Sequence, residues 1–265
     1  MLQQTQHERI FPGSPCSWEQ IYLIDKRWRF ISEVLATKGK KPELVLDSGC
    51  GYCIYTQRLS SLALRIIGLD IFSEYLKDYN AIMASNVMLV QGSAVNLPLP
   101  SNVVNAVICI ETLEHIPDYK EAIREYYRVL IPGGILVITV PNRLCPLQTH
   151  IVPSSGGNLG TFSLRRLRFL PLNIRRVTLL AYEWSPRQIE NSLKKEGFKI
   201  GRKKFLAPTF EHAEELNTRL QLIYSFISAG GSIIEKSPVM NKLASTTIIL
   251  VAIKPKSNQG ISGVV

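Results

Sequence analysis

At 265 residues with 46% hydrophobic content, the chain can bury one full core, alone or with an insertion, and no apolar run approaches the ~18–20 residues of a membrane span. Five cysteines, odd in number and scattered, argue against a disulfide framework and fit a reducing compartment. The net charge of +10 suits nucleic acid, an anionic membrane surface or an acidic substrate as partner, and it equally suits plain solubility.

The segment Met1 to Ile10 is polar and Gln-rich, without the basic n-region and apolar h-region of a signal peptide, so a cytoplasmic protein is expected. Residues 17–37 are predicted as an amphipathic helix, with Ile21, Ile24, Trp28, Ile31, Val34 and Leu35 near helical spacing. After a basic connector from Lys38 to Pro42, strands are predicted near 43–48, 65–70, 86–91, 104–110 and 134–140, and helices near 53–63, 73–84 and 118–130. The run from Val103 to Ile110 is apolar on both faces, as strands of a parallel sheet covered on both sides are. Pro132-Gly133-Gly134 is predicted to stop one helix and start the next strand. The rhythm breaks after Pro141. Residues 142–184 hold the loop Ser154-Ser155-Gly156-Gly157 and a cluster of five arginines, Arg165, Arg166, Arg168, Arg175 and Arg176. Ser185-Pro186 restarts regular structure, since Ser caps a helix and Pro suits its first turn, and that helix ends at Gly197. A strand near 198–206, a helix near 212–229 and a strand near 245–254 complete the pattern, and the residues from Ser257 are expected to fray. The expected organisation is an N-terminal arm and capping helix at 1–40, a main domain at 41–256 with a basic insertion at 142–184, and a flexible tail at 257–265.

The chemistry concentrates in Val45-Leu46-Asp47-Ser48-Gly49-Cys50-Gly51-Tyr52-Cys53. An apolar run ends in an acid, and two glycines precede a helical pattern, which gives a buried strand, a tight turn and a helix start. Glycine lets a ligand approach the backbone and permits positive φ. A second acid, Asp70, ends the next apolar run, Arg65-Ile66-Ile67-Gly68-Leu69. Strand, glycine turn, helix, strand, acid is the logic of a nucleoside-binding α/β domain: the turn takes one end of the ligand and the acid takes the ribose hydroxyls.

Several motifs in order resemble the class I S-adenosylmethionine-dependent methyltransferases, in particular the broad group that includes ubiquinone and menaquinone biosynthesis methyltransferases. Leu46-Asp47-Ser48-Gly49-Cys50-Gly51 is similar to the family's acidic-x-Gly-x-Gly turn, and Gly68-Leu69-Asp70 to its second-strand acid. Gln91-Gly92-Ser93-Ala94-Val95-Asn96-Leu97-Pro98 resembles its adenine loop, and Cys109-Ile110-Glu111-Thr112-Leu113-Glu114-His115-Ile116-Pro117-Asp118 its signature after strand four. Arg128 to Gly134, leading to Pro141-Asn142, is similar to its passage from helix through turn to strand five. The likeness covers residues 40–142 well and 185–206 loosely.

The resemblance implies an α/β fold, a Rossmann-like seven-stranded sheet of six parallel strands plus one antiparallel, with helices on both faces. The N-terminal helix and the insertion would cap the mouth at the carboxyl ends of the strands. It implies S-adenosyl-L-methionine as cofactor and S-adenosyl-L-homocysteine as product, by in-line transfer to a small-molecule or lipid-like, quinone-precursor-type acceptor. Backbone N–H groups from Gly49 to Gly51 would serve the methionine carboxylate and Asp47 the ammonium. Asp70 would take the ribose hydroxyls, Ile71 would pack on adenine, and Ser93 and Ala94 would lie beside the adenine edge. Glu111 would sit near the methionine end and the transferred methyl, and His115 would either act as general base or brace the loop. No metal is expected.

Three departures stand out. The third glycine of the turn is Cys53, Ser93 stands where the family often has Asp, and Val104-Asn105 replaces its Phe-Asp. The last two remove acids, which leaves room for weak cofactor affinity or a non-catalytic member. Other readings of the same residues are weaker. A dinucleotide site needs a third glycine where Ile54 stands, and no Gly-Lys-Ser/Thr follows for a P-loop. Cys50-Gly51-Tyr52-Cys53 has the spacing of a redox pair, but the surrounding motifs make it a turn residue and a helix-start residue. His150 is a lone loop histidine and Glu114 is expected at the surface. The arginine cluster, interleaved with Phe162, Leu164, Leu167 and Phe169, suits either a peripheral membrane contact or a lid with its arginines in water. A nucleic-acid methyltransferase also fits the charge, but Ile110-Glu111-Thr112-Leu113 stands where base-amino methylation uses Asn/Asp-Pro-Pro-aromatic.

Overall fold

The computed structural model describes residues 18–37, 39–142, 185–206, 245 and 247–256. The elements are α1 (Trp18–Ala36), β1 (Leu44–Ser48), α2 (Ile54–Leu59), β2 (Arg65–Asp70), α3 (Ser73–Asn80), β3 (Val87–Gln91), β4 (Val104–Cys109), a short 3-10 helix (Leu113–His115), α4 (Tyr119–Val129), β5 (Leu130–Pro141), α5 (Pro186–Glu196), β6 (Lys199–Leu206) and β7 (Thr247–Ile253). The expected helix at 212–229, residues 143–184 of the insertion with its arginines and His150, and the tail from Ser257 lie outside the described residues.

The strands form one sheet in the order β3-β2-β1-β4-β5-β7-β6. Neighbours from β3 to β5 pair in parallel, and β7 is antiparallel to both β5 and β6. Six strands therefore share one direction and one opposes them, as expected, with the last strand in sequence wedged between β5 and β6. Both faces are covered because successive side chains of a strand point to opposite sides. Leu46, Val107, Cys109, Leu136, Ile138, Ile248 and Leu250 pack against Ile123 and Tyr126 of α4 and Ile189 and Leu193 of α5. Their neighbours Val45, Ala106, Ile108, Val137, Ile249 and Val251 pack against Phe30, Ile31, Val34 and Leu35 of α1 and Leu59 of α2.

The boundaries differ from expectation where local chemistry intervenes. α2 ends at Leu59 because Ser60 and Ser61 turn their hydroxyls back onto the carbonyls of Gln57 and Arg58, which competes with helix propagation. Pro132-Gly133-Gly134 makes no separate turn. Leu130 already pairs with Val104 and Ile135 with Ala106, so the intervening residues form a bulge inside β5. Gly133 N–H donates to the Lys254 carbonyl and Lys254 N–H to the Gly134 carbonyl, which hold the bulge against the end of β7. α5 begins as expected: Ser185 and Gln188 form a reciprocal capping box, and Gly197 closes the helix at φ 103.

α1 packs on a face of the sheet rather than across its mouth. Arg58 of α2 holds it there, pairing with Asp25 at 2.6 Å and lying 6.0 Å from the centre of the Trp28 ring. Arg27 carries α1 to the carboxyl ends of the strands, where it meets Glu111.

Candidate active site at the carboxyl ends of the strands

β1 lies between β2 and β4, so the chain leaves it toward one side and later returns on the other. Open parallel sheets bind ligands at this reversal. The turn after Ser48, the acid Asp70, the loop at Ser93 and Ala94 and the loop at Glu111 all follow the carboxyl ends of adjacent parallel strands, in register through Ser48 with Leu69 and Asp70 with Gln91.

The glycine turn is wound through left-handed backbone at Gly49 (φ 76), Gly51 (φ 47) and Cys53 (φ 58). The two glycines answer different demands. A Cβ on Gly49 would fall 2.2 Å from Thr112 Cγ2, whereas a Cβ on Gly51 would meet nothing within 4 Å. Gly49 thus serves packing against the loop after β4, and Gly51 borders open space. The turn's amides are also spent differently from expectation. Gly49 and Cys50 N–H both donate to the Leu69 carbonyl, at 2.7 and 3.0 Å, and Gly51 N–H donates to Asp70 Oδ2 at 2.9 Å. These amides brace the turn and are not turned over to a ligand carboxylate.

Cys53 takes a conformation that normally selects glycine, at a cost of about 1–2 kcal/mol. It is fully buried with Cys50, Leu76 and Tyr79. A hydrogen bond to Cys53, then burial, push the Cys50 thiol well above its usual range. A redox thiol needs the opposite shift, so the turn's C-x-x-C has the character of packing residues.

Asp70 is 8% exposed, and its oxygens accept from Gly51 N–H and from Phe72 N–H at 3.0 Å. A carboxylate oxygen has more than one lone pair, so each can accept again. Ile71 and Phe72 beside it are 58% and 59% exposed, unusual for large apolar side chains. Ser93 accepts from Val95 N–H at 3.4 Å in a tight local turn, and Ala94 is buried in the core.

Asp47 lies deeper than the sequence suggested. It is 2% exposed and accepts from Thr56 Oγ1 at 2.5 Å. Burial pushes its pKa up to about 7 against the Thr56 hydrogen bond, so it sits in the interior beside the turn. Asn105 is also remote. Its Oδ1 accepts from Leu44 N–H at 2.8 Å, at the amino ends of β1 and β4, so the missing family acid there has no bearing on the mouth.

Glu111 follows β4 at φ 50. Its N–H donates to Thr139 Oγ1 and that hydroxyl donates to Glu111 Oε1, both at 2.8 Å. Arg27 Nη2 lies 3.0 Å from the same Oε1. Glu114, expected at the surface, is 1% exposed, and burial together with the nearby Glu111 holds its carboxyl well above the usual range. His115 is the exposed member of the 3-10 helix. Arg27 and Glu114 lie buried beside Glu111 without the sequence having announced it, though Arg27 falls three or four residues from Ile24, Ile31 and their stripe. Among the described residues no group of three or more His, Cys, Asp or Glu side chains is arranged to hold a metal.

Comparison with known proteins matches residues 46–138 to the family described as Methyltransferase domain. The chain is 37% identical over 116 residues to the demethylmenaquinone methyltransferase of Staphylococcus carnosus, covering 42% of this chain and 47% of that protein. It is 31% identical over 124 residues to the norajmaline N-methyltransferase of Rauvolfia serpentina, covering 44% and 41%. These matches span less than half the length of either relative. In fold it is similar to magnesium protoporphyrin IX methyltransferase from Synechocystis, solved with bound S-adenosylmethionine, with a TM-score of 0.55 at 15% identity over 95% of this chain and 91% of that one.

Proposed function

We propose that this chain, which belongs to the class I S-adenosylmethionine-dependent methyltransferases through residues 46–138, transfers a methyl group to a small-molecule or lipid-like acceptor of the quinone-precursor type. The observation that carries the reading is Asp70: an acid at the carboxyl end of β2, oriented by two backbone amides, beside open space above Gly51 and an exposed Ile71. Those are the features a ribose, its adenine and the chain linking them require, so the residues present fit the cofactor.

S-adenosyl-L-methionine supplies a methyl group on a positively charged sulfur, already a strong electrophile. The protein's part is proximity, alignment and exclusion of water. Asp70 accepts from the ribose hydroxyls, Ile71 packs on adenine, and Ser93 with the backbone at Ala94 borders its edge. Gly49 and Gly51 shape the turn, and Asp47 supports it from the interior. Glu111, held by Thr139 and Arg27 and partly exposed at the mouth, would place its carboxylate near the sulfur. When bound, the cofactor would give up its methyl carbon to an acceptor nucleophile approaching opposite the carbon–sulfur bond, with S-adenosyl-L-homocysteine as leaving group. Where the nucleophile must lose a proton, His115, the exposed residue of the 3-10 helix, is the base.

The acceptor class is supported by the relatives, one named for demethylmenaquinone and one for norajmaline, both small molecules. Among the described residues no helix is long and apolar enough to cross a membrane. A cytoplasmic enzyme touching a membrane peripherally, through Arg165, Arg166, Arg168, Arg175 and Arg176, belongs to the same proposal. The test incubates the purified chain with methyl-labelled S-adenosylmethionine and either demethylated quinols or total RNA. Label extracted with the quinol is expected. Label in RNA would overturn the acceptor class, and bound cofactor with no transfer to either would favour a non-catalytic role.

A further inference from the structure

Arg27 is out of place by composition. Positions 27, 30, 31, 34 and 35 form the face of α1 that packs on the sheet, and the other four are Phe30, Ile31, Val34 and Leu35. A guanidinium taken out of water costs several kcal/mol unless it is paired. Arg27 is 6% exposed, and it links β7 and the residue after β4, whose carboxylate β5 also contacts. Its Nη2 lies 3.0 Å from Glu111 Oε1 and 3.4 Å from Thr247 Oγ1 at the start of β7, while Thr139 of β5 donates to the same Glu111 oxygen at 2.8 Å. Glu111 itself stands in left-handed backbone, which a residue with a side chain keeps only when its neighbours over-determine it.

A simple staple between α1 and the sheet does not account for this. Replacing a buried ion pair by well-packed apolar groups is often neutral or stabilising. A fifth apolar residue on the stripe would therefore join α1 to the sheet at least as well. The side chain of Glu111 is also 29% exposed, so the pair opens onto the mouth.

We propose that Arg27 is a positioning residue of the methyl-transfer site: it fixes the Glu111 carboxylate against Thr139 so that its charge faces the cofactor's positively charged sulfur. The proposal rests on the reading of the mouth as an S-adenosylmethionine site. Glu111 makes the contact and Arg27 acts through it.

S-adenosylmethionine and S-adenosylhomocysteine differ at the sulfur by a methyl group and a positive charge, so the ratio of their affinities reports on that contact. Calorimetry on the full chain with both ligands compares wild type, Arg27→Met, Arg27→Lys, Glu111→Gln and the double variant Arg27→Met/Glu111→Gln. The expected result is a shift of about tenfold toward the uncharged ligand in Arg27→Met and in Glu111→Gln, with a smaller shift in Arg27→Lys. The double variant should match Glu111→Gln alone, because a residue acting through another adds nothing once the other is gone. Equal loss of both affinities in Arg27→Met would mark a staple and overturn the proposal. So would a shift toward S-adenosylmethionine, an additive double variant, or no shift in Glu111→Gln. Should Arg27→Met fail to fold, Arg27→Lys runs the same cycle. Wild type that binds neither ligand would overturn the cofactor site itself, a failure distinct from the others.

Discussion

Gly49 and Gly51 are one residue apart and demand different tests. Gly49→Ala places a Cβ 2.2 Å from Thr112 in left-handed backbone and should destabilise the fold by more than ~3 kcal/mol in urea unfolding. Gly51→Ala meets no atom and should cost about 1–2 kcal/mol for its positive φ alone, while weakening cofactor binding through the space it fills. Equal destabilisation by the two would contradict the division of roles. Asp47 carries a pH signature. Its folded-state pKa is raised from 3.8 to about 7, so the folded protein binds a proton there that the unfolded chain has lost. The wild type therefore loses stability from this group as pH rises from ~4 to ~7, and loses no more above. Asp47→Asn removes the titration, so its stability relative to wild type should grow over that window by on the order of a few kcal/mol and then level off. A difference independent of pH would contradict the buried assignment. The placement of Asp70 and Glu111 at the carboxyl ends of β2 and β4 was legible from sequence because each ends an apolar strand run. Glu114 was not, because a three-residue 3-10 helix has too few positions to show which face is inward. Arg27 was hidden because an arginine on an apolar stripe gives no sign of which carboxylate it will meet.

At the scale of elements, the strands were legible because period-two burial on both faces leaves a continuous apolar run. The β5 bulge was not, since Pro-Gly-Gly signals a turn and only the pairing of Lys254 with Gly133 and Gly134 keeps it inside the sheet. Lys254 contributes a second device. Its Nζ donates to Asn102 Oδ1 and to the carbonyls of Tyr127 and Leu130, all at 2.7 Å, capping the end of α4 from the residue after β7. Lys254→Met should lower unfolding stability by about 2 kcal/mol, because it leaves those acceptors unsatisfied, and a change below about 0.5 kcal/mol would contradict the cap. Among the described residues β6 pairs only with β7, and it carries Lys199, Arg202, Lys203 and Lys204. Charged side chains on an edge strand discourage pairing with another chain. Arg202 and Lys204 also lie over the Phe30 ring, and Arg202 pairs with Glu33, so these cations tie the edge to α1.

For the whole molecule, part of the +10 charge is thus accounted for by an edge strand rather than by an anionic partner. The topology brings four strand ends to one mouth, which is why motifs scattered along the sequence meet at one place. That convergence, with Asp70 at its centre, is the central claim. It is tested most directly by calorimetric titration of the purified chain with S-adenosylmethionine, wild type beside Asp70→Ala, with thermal melts showing that both are folded. One-to-one binding by wild type, weakened at least about tenfold in Asp70→Ala, is the expected result, since a charge-assisted hydrogen bond contributes about 1.5–3 kcal/mol. No binding by wild type, or equal binding by folded Asp70→Ala, would contradict it.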